Sequence, residues 1–343
     1  MKKIFKSIAF ALILSLMLIL IKNEYARLLL SHANYGVQAL ITGYHNGEYN
    51  DGKGVNIYIG SSMFRKGLDI NVLNQNVDGV NYILSYNGTR PFQCYEELAY
   101  VLQKGVKIRH LYVDLYAFAM TVDPWVEDSR LLMETDFAFK CRLWKDMSRF
   151  SDSPIKNFWD MFVTTGNERL LSWPIDYKIT NAQFLQGGNL QVEMGGGVDG
   201  MVSMSKADRI AKLKKTDYDK ILPVVFNKNQ ESYVKKTISL CKNNNIPITF
   251  IETPKYASIM AQDNYAGLMK SYIKLLLKNN VDFYLIEDSK FTCNSEINDE
   301  KVAEDVISFD TGNVDYFVDW LHLSSSGREE FTKNFTKALN KTK

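Results

Sequence analysis

Apolar residues occur in two spacings along this chain. Short strand-like runs at 55–59, 81–85, 108–115, 246–251 and 281–286 have the length of buried strands. Between them, apolar positions recur at three- and four-residue intervals. Pro91 opens one such stretch, in which Tyr95, Leu98, Ala99 and Leu102 share a face and Gly105 stands as the stop. Residues 230–244 and 265–277 read as further helices, and a last one should start near Ser325 and run towards Ala338. Strands alternating with helices imply crossover connections and a mostly parallel sheet covered on both faces, a three-layer α/β/α sandwich. Ligands of such sheets bind outside the carboxyl ends of the strands. Residues that immediately follow a strand are therefore the ones to inspect for chemistry.

The alternation breaks twice. At the N-terminus, Lys2, Lys3 and Lys6 precede a run without charge from Ser7 to Ile21, closed by Lys22. Those 15 residues span about 22 Å as a helix, short of a hydrocarbon core of about 30 Å unless the flanking lysines snorkel. The length also suits a cleaved signal peptide, but Ser31-His32-Ala33, a small-x-small site, lies beyond Lys22, Glu24 and Arg27. Residues 1–30 are read as an uncleaved signal anchor, a single pass with the lysines in the cytoplasm and the domain over 50–343 outside it. The second break, about 119–228, contains Trp125, Trp144, Trp159 and Trp173 and the glycines Gly187, Gly188, Gly195, Gly196, Gly197 and Gly200. It reads as a helical insertion beside the sheet, or as a lid or partner-docking surface over the site.

Composition narrows the partners. Of 41 basic residues, Lys2, Lys3, Lys6 and Lys22 belong to the N-terminal segment, leaving 37 against 39 acidic ones. That near-neutral balance gives no basic face for nucleic acid. No GxxxxGK[ST] loop occurs, and Cys94, Cys141, Cys241 and Cys293 show no metal-ligand spacing, so neither cofactor nor metal is expected. The four cysteines are compatible with two bridges or with free thiols.

Candidate chemistry lies at two distant places. Gly60-Ser61-Ser62 directly follows the 55–59 run, and Asp319-Trp320-Leu321-His322 directly precedes the terminal helix. A serine at a strand end, a histidine, and a carboxylate three residues before it supply a nucleophile, a base and a group to orient the base. The Asn87-Gly88-Thr89-Arg90 turn follows a second strand on the same edge, as does Tyr256 after 246–251.

These motifs resemble those of the SGNH (GDSL-like) hydrolase superfamily, and within it the membrane-anchored cell-envelope members similar to the protein D family of lipoteichoic acid D-alanylation and to polysaccharide O-acetylation proteins. Gly60-Ser61-Ser62 corresponds to the first block, Gly88 to the second-block glycine, and Asp319 with His322 to the last block. The resemblance covers about 55–118 and 236–335. It implies a flavodoxin-like fold and a serine esterase or acyltransferase with Ser62, His322 and Asp319 as catalytic residues. The oxyanion would be bound by the backbone N–H groups of Ser62 and Gly88 alone, or with a nearby donor such as Asn87 or Arg90 in place of the third-block residue. It also implies small acyl groups, acetyl or D-alanyl, on a cell-envelope glycopolymer, with a membrane-bound O-acyltransferase as partner. One block departs. Where the superfamily has Gly-x-Asn, this chain reads Val113-Asp114-Leu115, and an ionised Asp114 cannot donate to an oxyanion. A general secreted lipase or esterase, and a non-catalytic assembly protein that binds a glycan or a membrane acyltransferase, are the competing expectations.

Overall fold

The computed structural model describes residues 2–30, 36–124, 129–150, 153–155, 205–215, 225–289 and 306–341. In chain order its elements are α1 (Lys2–Leu30), α2 (Val37–His45), β1 (Val55–Gly60), α3 (Ser62–Gly67), α4 (Ile70–Asn76), β2 (Val80–Ser85), α5 (Pro91–Gln103) and β3 (Ile108–Asp114). A 3-10 turn (Ala117–Thr121) leads to α6 (Ser129–Glu134), α7 (Phe137–Met147) and α8 (Lys206–Lys215). Then come α9 (Lys228–Asn243), β4 (Ile248–Ile251), α10 (Ala257–Met260), α11 (Asp263–Lys278), β5 (Asp282–Ile286), β6 (Val306–Ile307) and α12 (Ser325–Lys341).

Six strands form one sheet in the order β2-β1-β3-β4-β5-β6, and every neighbouring pair is parallel. This is the flavodoxin-like order with one strand added at the β5 edge. Its switch point, where the chain changes direction across the sheet, lies between β1 and β3. All six residues of β1 are buried, as expected of a strand with helices on both faces. One layer consists of α5, α9 and α11, whose Phe92, Tyr233 and Tyr272 pack together or onto Phe250 of β4. The other consists of α3, α4 and α12, with Phe335 edge-on to Tyr112 of β3 and Tyr284 of β5. Tyr112 also stacks on Tyr58 of β1 at 4.6 Å between ring centres.

Local chemistry sets the element ends. Asp69 caps α4 by accepting from the backbone N–H of Asn71 and Val72 at 2.9 and 3.2 Å. Asn245 and Asn280, at φ 54 and 49, make the left-handed turns that lead from α9 to β4 and from α11 to β5. The 246–251 run begins as ladder only at Ile248, because Pro247 has no N–H to give, though its carbonyl accepts from Leu111 at 2.9 Å.

The described parts of the 119–228 segment include α6, α7 and α8, and α7 leans on α5 through Tyr100 against Phe139 and through the Arg142–Glu96 ion pair. Trp125, Trp159, Trp173 and the glycine-rich stretch 187–200 lie outside the described residues. Cys94, Cys141 and Cys241 are free thiols, so the two-bridge arrangement is not formed; Cys293 lies outside the described residues. Helix α1 holds Phe5, Phe10, Leu12 and Ile13 well exposed. Among the described residues, no helix is long and apolar enough to cross a membrane.

Candidate active site

Strand β1 ends at Gly60 in the sheet's carboxyl edge, and Ser61 caps the short helix α3 that Ser62 begins. Ser61 Oγ accepts from the N–H of Met63 at 3.1 Å and donates to Asp114 Oδ2 at 2.6 Å. The same carboxylate oxygen accepts from the Ser61 N–H at 3.3 Å. Asp114 is the last residue of β3 and is buried. A methyl at Gly60 would collide with its Cβ, so a glycine is what lets the two strand ends approach.

The other half comes from a tight loop before α12. Phe317 and Leu323 form an antiparallel bridge, Val318 N–H donates to His322 O at 2.9 Å, and Ser324 N–H donates to Tyr316 O at 2.9 Å. Asp319 Oδ1 accepts from the N–H of Leu321 and of His322, both at 2.8 Å, so its side chain builds the turn that carries the histidine. His322 Nδ1 lies 2.8 Å from Asp319 Oδ2 and 3.0 Å from Oδ1, and His322 Nε2 lies 2.9 Å from Ser62 Oγ. With the ring proton on Nδ1, Nε2 is left to accept from the serine hydroxyl. Burial pushes the Asp319 carboxyl up, but the hydrogen bonds and charge of His322 and the two backbone N–H groups outweigh it. The carboxyl therefore lies below its usual range. The β4 loop steadies this turn, since Tyr256 N–H donates to Trp320 O at 3.0 Å.

Ser62, His322 and Asp319 thus stand in one hydrogen-bonded chain although 260 positions separate the first pair. The remaining expected residues lie on the β2 loop. Asn87 accepts through Oδ1 from Arg65 of α3, tying this loop to the helix that Ser62 starts. Gly88 follows at φ 62, a left-handed conformation that favours glycine. Arg90 donates to the carbonyl of Asp123 at 2.8 Å rather than pointing as an unattached cation.

Beside the serine turn, a mostly apolar pocket of about 350 Å³, counted out to its open mouth, is walled by Ser61, Arg90, Cys94, Asp114, Val234 and Tyr272 among others. The loop after β4 carries a buried charged pair, Glu252 and Lys255. Lys255 Nζ donates to Thr253 O at 2.6 Å, and Glu252 accepts from the Ile286 N–H at 2.9 Å, from Ser289 Oγ at 2.6 Å and from the Tyr265 hydroxyl. Burial lowers the Lys255 ammonium, opposed by the charges of Glu252 and Asp114; burial raises both carboxyls, opposed chiefly by Lys255 at Glu252 and by the Ser61 hydroxyl at Asp114. Sequence reasoning stopped at what Asp114 cannot donate and did not find what it accepts. A hint lay in Glu252 and Lys255, charged residues directly after an apolar strand. Lys66 of α3 also went unnoticed: burial lowers its ammonium, and the nearby Asp319 carboxylate opposes that shift.

No group of His, Cys, Asp and Glu side chains is arranged to hold a metal ion among the described residues. In comparisons with known proteins, the chain matches no family model and no curated protein.

Proposed function

We propose that this protein is a serine acyltransferase or esterase that forms an acyl-Ser62 intermediate. The observation that carries the reading is the Ser62–His322–Asp319 chain at 2.9 and 2.8 Å, at the sheet's switch point. As Ser62 Oγ bonds to an ester or thioester carbonyl carbon, its proton passes to His322 Nε2, and Asp319 stabilises the resulting imidazolium. The tetrahedral intermediate collapses, the bond to the leaving oxygen or sulfur breaks, and His322 returns the proton to that atom. A second hydroxyl then attacks the acyl-serine with the same proton path reversed. Water as that acceptor gives hydrolysis; a sugar or polyol hydroxyl gives transfer.

The substrate class is proposed as small acyl groups, acetyl or D-alanyl, on a cell-envelope polysaccharide or teichoic acid. A near-neutral domain held at the cell envelope supports a surface glycopolymer as the acceptor. The exposed apolar residues of α1 support attachment at a membrane, and the lysines at its start support an extracytoplasmic domain; a membrane-bound O-acyltransferase that hands over the acyl group is proposed from the motif resemblance alone. A non-catalytic assembly role is the second reading, favoured by the absence of an amide donor at Asp114. Activity-based labelling separates them. Fluorophosphonate should form one covalent adduct on the protein and none on Ser62→Ala, whereas a folded protein that stays unmodified would support the assembly role.

A further inference from the structure

A nucleophilic serine is aimed by its backbone, and the backbone N–H groups on either side of Ser62 are held by one hydroxyl–carboxylate pair, Ser61 and Asp114. Ser61 Oγ gives its only proton to Asp114 Oδ2 at 2.6 Å and takes the Met63 N–H at 3.1 Å. Asp114 Oδ2 also takes the Ser61 N–H at 3.3 Å. The N–H groups before and after Ser62 are thereby drawn into one buried carboxylate–hydroxyl pair. The Ser62 N–H between them opens α3, so the helix itself makes no use of it.

Three further features suit this arrangement. Gly60 leaves the space that the Asp114 side chain needs. Asp114 is paired in register with Ile251, so Glu252 directly follows its partner residue, and Lys255 is near enough for its charge to act on Asp114. Lys255, fully buried, supplies a positive charge to a carboxylate that would otherwise be costly to keep there.

We infer that Asp114 and Ser61 act together as positioning residues, locking the turn so that Ser62 Oγ faces His322 while the Ser62 N–H stays available to an oxyanion. On this view the carboxylate at the end of β3 is a support for the nucleophile's backbone instead of a donor to substrate. The inference rests on Ser62 being the nucleophile.

The test is the rate of fluorophosphonate labelling of Ser62 in the full chain, read by intact mass over time at several reagent concentrations, with melting temperature recorded for each variant. Asp114→Ala and Ser61→Ala are each expected to lower the maximal labelling rate about ten- to hundredfold, with the half-saturating concentration little changed. The double variant should be no slower than the slower single one, because both remove the same link. Asp114→Asn, whose amide oxygen still accepts the Ser61 proton, should recover most of the rate. Should Asp114→Ala not fold, Ser61→Ala, which removes a single oxygen, carries the test. Folded variants that label at the parent rate, or effects that simply multiply in the double variant, would overturn the inference and leave the nucleophile intact. A parent protein that takes no label would overturn the serine-nucleophile reading, and this inference with it.

Discussion

Asp319 both folds and aims the last motif, because one carboxylate accepts two backbone N–H groups and the imidazole Nδ1–H. Replacing it by asparagine separates the two duties. The amide oxygen can still cap the turn, while the amide N–H₂ would face Nδ1 and favour the wrong ring tautomer. Asp319→Asn is therefore expected to slow Ser62 labelling by on the order of 10²-fold or more, with a melting temperature close to the parent's. A comparable fall in melting temperature would instead assign the effect to the turn. At Gly60 the expectation is the reverse. An added methyl collides with Asp114 Cβ, so Gly60→Ala should cost about 1–3 kcal/mol of stability as well as labelling rate, and a chemical denaturation curve would show it. Both positions show why residue-level reading of sequence stops where it does. Asp319 and His322 are three apart, and a local turn is legible. Ser61 and Asp114 stand 53 apart, and only strand pairing brings the acceptor to the hydroxyl.

At the scale of elements, the runs that announced themselves were those buried on both faces or along a full stripe: β1 to β5, α5, α9, α11 and α12. Helices α3 and α4 were not anticipated, since six or seven residues hold too few turns for a period to register, and β6 has only two residues. Their existence depends on caps and neighbours, as Asp69 does for α4. Helix α12 was legible because Phe331, Phe335, Ala338 and Leu339 share one face, and Phe335 is wholly buried against Tyr112 and Tyr284. Phe335→Ala is expected to cost about 3–5 kcal/mol, measurable as a lower denaturation midpoint. The α5–α7 contact has a pH signature. Burial raises Glu96 from 4.5 to about 7, with Arg142 opposing. Between those values the folded state keeps a proton that the unfolded chain has released, so this group's contribution favours folding below the lower value and declines as pH rises through the upper one. Relative to the parent, Glu96→Gln should gain on the order of 1–3 kcal/mol from about pH 5 to about pH 8. Urea midpoints for both proteins across that range would decide it, and parallel curves would contradict the assignment.

For the molecule as a whole, the parallel order β2-β1-β3-β4-β5-β6 puts the serine turn, the β2 loop and the β4 loop on one edge, and the α12 loop closes over Ser62 from the far end of the chain. Alternating strands and helices made that edge legible in advance. The path of the chain through 156–204, outside the described residues, was legible only as an interruption. The N-terminal helix gives a separate expectation: the full chain should float with anionic phospholipid vesicles, and a chain without residues 1–30 should stay in the soluble fraction. Flotation of both would place membrane contact elsewhere. The central claim is that Ser62 is activated by His322. Intact-mass analysis of the full chain after fluorophosphonate treatment, beside Ser62→Ala and His322→Ala, tests it most directly. A single adduct on the parent, none on Ser62→Ala and a strongly slowed one on His322→Ala is the expected result; an adduct that persists undiminished in either variant would contradict it.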